Sequence, residues 1–117
     1  MESAALDHDQ LGALYAQLGA VAAEDVLRRT MEDLAQRLTQ VEQLHRQSDL
    51  IALRKHARTL VGIAEQVGMI RLSLVASDVV TTVDQMDMNA IAATTFRLIR
   101  VGERSLAAVW ELQDITI

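Results

Sequence analysis

The 117-residue chain has no cysteine, no proline and only three aromatic residues, Tyr15, Phe96 and Trp110. Without cysteine there is no disulfide framework, no thiolate metal site and no thiol nucleophile. Without proline there is no proline-set kink or turn. With so few rings, a core has to be assembled from Leu, Val, Ile, Ala and Met, which suffices for a helical bundle and says nothing about ligands. No uncharged stretch approaches the roughly 20 apolar residues that cross a bilayer. The amino terminus, MESAALDHDQ, lacks a basic region followed by an apolar run, so neither a secretory signal nor a transit peptide is expected and the cytoplasm is the expected location. A formal charge of -5 argues against general affinity for nucleic acid, because polyanion binding depends on phosphate neutralisation.

What is present is helical periodicity over almost the whole length, with no Gly/Ser-rich linker, low-complexity block or fixed-period repeat. One domain over residues 1–117 is expected. Leu11, Leu14, Tyr15 and Leu18 form a short stripe that ends at Gly19, with Asp7 or Asp9 as cap. A longer one runs through Val26, Leu27, Met31, Leu34, Leu38, Val41 and Leu44 and fades at Arg46-Gln47-Ser48. Ser48 or Asp49 can cap a third helix carrying Leu53, Ala57, Leu60, Ala64 and Val67, which stops near Gly68. The segment from Ile70 to Val83 is rich in valine and threonine, but a lone strand among helices would have no pairing partner, so it is read as a fourth helix. Asp87 or Asn89 can cap the last helix, with Ile91, Phe96, Leu98, Ile99, Val101, Leu106, Val109 and Leu112 as core candidates. The expected fold is all-α: an antiparallel four-helix bundle with a short additional N-terminal helix.

The third helix carries the functional information. From Asp49 to Met69 the chain reads DLIALRKHARTLVGIAEQVGM. This segment resembles histidine-containing phosphotransfer (HPt) domains. Their signature is a histidine followed by leucine at plus two, lysine at plus three, glycine at plus four, a small residue at plus six and glycine at plus ten. With Arg58 in the histidine position, Leu60, Gly62, Ala64 and Gly68 match and Val61 replaces the lysine. Gln10-Leu11, Leu18-Gly19, the helix from Ala23 to Gln47, and Leu72 and Ala76 extend the resemblance over nearly the whole chain. It implies a signalling protein of two-component phosphorelays whose partner is a response-regulator receiver domain or a histidine kinase.

In such domains the exposed mid-helix histidine takes a phosphoryl group from a receiver aspartate or a kinase and passes it on. That step needs a neutral imidazole with a free lone pair. Arginine stays protonated and all its nitrogens are donors, so Arg58 offers no nucleophile. A pseudo-phosphotransferase, with no catalytic residue and no cofactor, is what the resemblance then implies.

His56 stands two residues away and is the alternative acceptor. Placing it in the histidine position loses both the leucine and the plus-four glycine of the signature. At about 100° per residue it lies about 40° from Leu60, whereas Arg58 lies about 160° away. His56 is therefore expected at the edge of the core, partly buried and hydrogen-bonded. His8 and His45 fall near helix ends, and the three histidines have no spacing that suits a metal.

Opposite the core stripe, the third helix presents Arg54, Lys55, Arg58, Gly62 and Glu65, flanked by Val61. A solvated helix face would look similar. Under the resemblance, the missing side chain at Gly62 leaves room for a partner to reach residue 58, and these six residues are the expected binding surface. Arg58 would enter the acidic pocket of a receiver as a fixed cation.

A different class of reading has the bundle dimerise or scaffold another protein through its last two helices. The run Val79-Val80-Thr81-Thr82-Val83 would leave apolar side chains outside the core for such a homodimer. Catalysis has least support, for there is no Gly-rich phosphate loop and no G-x-S-x-G elbow, and Glu32-Asp33 and Asp84-Asp87 read as helix surface and turn.

Overall fold

Three aspartates start three of the helices, each by the same local chemistry. The carboxylates of Asp7, Asp49 and Asp87 accept the backbone N–H of Gln10, Ala52 and Ala90, each at 3.1 Å, which satisfies a donor that an α-helix start leaves free. In each case the first of the two aspartates, or the aspartate over its neighbour, is the cap. The computed structural model describes residues 6–116, with side chains through Glu111. It contains α1 (His8–Leu18), α2 (Ala20–Arg46), α3 (Leu50–Gln66), α4 (Ile70–Asp84) and α5 (Met88–Thr116). Among the described residues there is no strand; the one β-type pairing is an isolated antiparallel bridge between Leu6 and Met69.

The helices are joined by tight turns. Gly19, at φ 80°, alone separates α1 from α2. Ser48 (φ 57°) and Met86 (φ 54°) close α2 and α4 in the left-handed region. There a residue with a Cβ costs roughly 1–2 kcal/mol relative to glycine. At roughly 1.5 Å per residue, the 27 residues of α2 and the 29 of α5 are each about 40 Å long. They match the 44 Å long axis of the molecule.

Helix α3 packs on α4, α4 on α5, and α2 on both α3 and α5, so the four long helices enclose one core. Its largest fully buried side chains include Leu34, Leu53, Leu60, Leu72, Ile91 and Leu98. Helix α1 lies on α2 and is tied to the α3–α4 corner, where Asp7 N–H donates to Gly68 O at 2.7 Å and Gln10 Nε2 to Gln66 O at 3.3 Å.

All five stripe residues of α3 are buried, as periodicity predicts. Three other core candidates are exposed: Leu18, Val26 and Phe96. Leu18 is the last residue of α1, Val26 is a full step of about 100° from buried Leu27, and Phe96 stands likewise beside buried Thr95. The Phe96 ring meets His45 edge-on, with centroids 5.9 Å apart. Leu112 lies beyond the described side chains. In the run 79–83, Val79, Thr82 and Val83 are buried and Val80 is partly buried against the core, so no apolar face is left there. Thr82 hydrogen-bonds Val79 O and Thr94 instead of facing outward. Where α2 and α5 approach, a Cβ at Gly102 would overlap the side chain of Leu38, so glycine sets that spacing.

Candidate partner-binding site

Helix α3 presents four sides, each about a quarter turn wide, and the site follows from which groups each one carries. Leu53, Ala57, Leu60 and Ala64 face the core. A second side leans on α4. There Arg54 Nε donates to Asp84 Oδ1 at 2.6 Å and Nη2 to Oδ2 at 3.2 Å, and Glu65 Oε1 accepts from Ser73 Oγ at 3.4 Å. Lys55, Arg58 and Gly62 share the outward side and are exposed. The remaining side holds His56 together with Ala52 and Ile63.

The Arg54–Asp84 bridge is two-pronged, which matches the planar guanidinium to a carboxylate. The hydrogen bond from Arg54 holds the Asp84 carboxyl below its ordinary value of 3.8, against the opposing effect of burial, and the charges of Arg54 and Arg58 add to it. The same hydrogen bond raises the Arg54 guanidinium. Because the folded-state value of Asp84 is depressed, the bridge stabilises the fold fully above about pH 4. That contribution is lost as pH falls through the folded-state value. An Asp84→Asn chain should therefore lose part of the acid-side dependence of its unfolding midpoint below about pH 4. Parallel midpoint curves for the two chains would contradict this.

The structure thus divides the six residues expected on one binding surface. Arg58 and Lys55 are exposed, and neither has an ion pair within 4.0 Å among the described residues. Arg54 is neutralised by Asp84, so the face is less basic than its sequence suggests; the two are 30 residues apart and no local pattern announces the pair. Val61 is partly buried against the core, and Glu65 turns toward α4. At Gly62 an added Cβ would meet nothing within 4 Å. Beside Arg58, a groove of about 820 Å³ opens between the first half of α3 and the α4–α5 turn. Arg54, Lys55, Arg58 and Ile51 border it on one side, Asp84 and Met86 on the other. Ile51 and Met86 were not expected at the site. The sequence signal for Ile51 was its place outside the apolar stripe of α3.

His56 is partly buried as expected, but its Nδ1 is sealed from solvent with no hydrogen-bond partner. The expectation of a hydrogen-bonded histidine is corrected, since Ala52 and Ile63 on that side of α3 are apolar. His8 is exposed on the first turn of α1, and His45 is partly buried. Among the described residues no three His, Cys, Asp or Glu side chains cluster to hold a metal, and no helix is long and apolar enough to cross a membrane. Compared with known protein families, curated proteins and solved structures, the chain matches none.

Proposed function

We propose that the chain is a degenerate HPt-type protein of the cytoplasm, with α2–α5 as its antiparallel four-helix bundle and α1 laid across one end. It binds a response-regulator receiver domain or a histidine kinase and does not carry phosphate. The observation that carries this reading is an exposed cation, Arg58, without an ion pair among the described residues and one turn from a gap at Gly62. Receiver domains surround their phosphorylatable aspartate with acidic side chains. A guanidinium entering that pocket makes charge-assisted hydrogen bonds where a histidine would accept phosphate. Val61, in the place of the family lysine, packs toward the core and leaves the site without that second cation. His56 lies on another side of α3 with Nδ1 turned inward, which argues against its acting as acceptor.

Gly62 supports the same reading by energetics. Glycine in a helix interior costs about 1 kcal/mol relative to alanine, and here nothing in the fold needs the space. Gly62→Ala should raise the unfolding free energy by about 0.5–1 kcal/mol. Gly62→Gln should leave the fold intact and obstruct the approach to Arg58. The test is calorimetric titration of purified receiver domains and kinases with the full chain and both variants. Binding that Gly62→Gln leaves unchanged, or no binding to any receiver or kinase, would overturn the proposal.

A further inference from the structure

The groove beside Arg58 is bordered by two large apolar side chains that the fold does not use. Ile51 is 88% exposed and Met86 is 67% exposed. Ile51 sits in the first turn of α3, two residues after the capping Asp49, where a polar residue would serve the helix equally well. Met86 occupies a left-handed turn position at φ 54° that favours glycine or asparagine. Ile51 therefore gains almost nothing from folding, and Met86 holds an unfavourable backbone conformation while leaving most of its side chain exposed.

They share the groove lining with three cations, Arg54, Lys55 and Arg58, and one carboxylate, Asp84. The surplus of two positive charges stands in a chain of net charge -5. Apolar anchors inside a cationic rim call for an occupant of the complementary kind.

From this pairing we infer that the groove takes an amphipathic helix with apolar residues on one face and acidic residues along its flanks. Ile51 and Met86 clamp the apolar face, and Lys55 and Arg58 meet the carboxylates. The proposal rests on the outward side of α3 being a partner surface, but not on the partner being a receiver or a kinase.

The experiment uses the full chain, isotope-labelled for NMR, and a synthetic peptide of about 18 residues, long enough to hold a helix, with Leu at i, i+4 and i+7 and Glu on both flanks. Two control peptides replace Glu by Lys or Leu by Ser. Shifts concentrated at Ile51, Lys55, Arg58 and Met86, with affinity at least tenfold above both controls, are expected. Ile51→Ser and Met86→Gly should each weaken binding about tenfold. Met86→Gly relieves the turn and should raise the melting temperature, so loss of binding cannot be ascribed to misfolding.

Equal binding of the basic peptide, shifts centred elsewhere, or no binding at millimolar peptide would overturn the inference. If the acidic peptide binds as expected while receivers and kinases do not bind, the groove assignment stands and the receiver reading fails. The reverse result removes the groove alone.

Discussion

Gly68→Ala is expected to lower the unfolding free energy by about 2–4 kcal/mol, from roughly 1–2 for a Cβ at left-handed backbone and the rest from steric conflict. Gly68 has φ 74°, and an added Cβ would lie 2.9 Å from Asp7 O and 3.2 Å from both Asp7 Cβ and Gln10 Cβ. The nearest obstacle is backbone, which cannot swing aside as a side-chain tip can. The same contact carries the Asp7 N–H to Gly68 O hydrogen bond, so α1 should be loosened as well as the global fold. In a domain of this size the melting temperature should fall on the order of 10 °C. Amide exchange at Asp7 and Leu11 should accelerate beyond the global effect. A Gly68→Ala chain within about 0.5 kcal/mol of the parent would show that α1 does not dock on the α3–α4 corner through Gly68. Gly68 thus has a structural role at the α1 docking corner, independent of phosphate chemistry.

Arg58→Glu carries the second large effect, on binding and not on stability. Arg58 is exposed and outside any ion pair among the described residues, and surface substitutions of that kind usually change stability by less than about 0.5 kcal/mol. In the proposed complex its guanidinium faces carboxylates, and reversing the charge places like charges together at a cost of several kcal/mol. Affinity for the receiver should fall about 100-fold or more. Arg58→Lys should retain part of it, since the charge remains but the planar fork does not. Parent binding should also weaken with added salt, because association draws an exposed cation to an acidic pocket. An Arg58→Glu chain that binds with parent affinity and a parent melting curve would remove Arg58 from the interface.

The contrast between these two glycine and arginine positions also explains what could be read from sequence. The α3 stripe and the aspartate caps were legible because a helix repeats every 3.6 residues and its cap acts within three. Gly68 was legible as a helix stop, but its contact with Asp7 lies 61 positions away along the chain. The Arg54–Asp84 bridge joins two helices and has no periodic signature, so the sequence alone presents Arg54 as one more cation of the exposed face. Phe96 is exposed although apolar, while its neighbour Thr95, polar by type, is the one in the core. Ser105 is buried for a related reason: its hydroxyl donates to Val101 O at 2.8 Å, so its polar group is satisfied within its own helix. Ile51 and Met86 each look unremarkable alone and become a site only when α3 and the α4–α5 turn are brought together.

The most direct test of the central claim is phosphoryl transfer measured on the intact chain. The parent would be incubated with radiolabelled phospho-receivers and autophosphorylated histidine kinases, beside an Arg58→His/Val61→Lys double variant and a His56→Ala chain. Complexes with the parent but no label on it are expected, with acid-labile label appearing only on the double variant. Stable label on the parent, abolished by His56→Ala, would contradict the account and make this chain an active phosphocarrier.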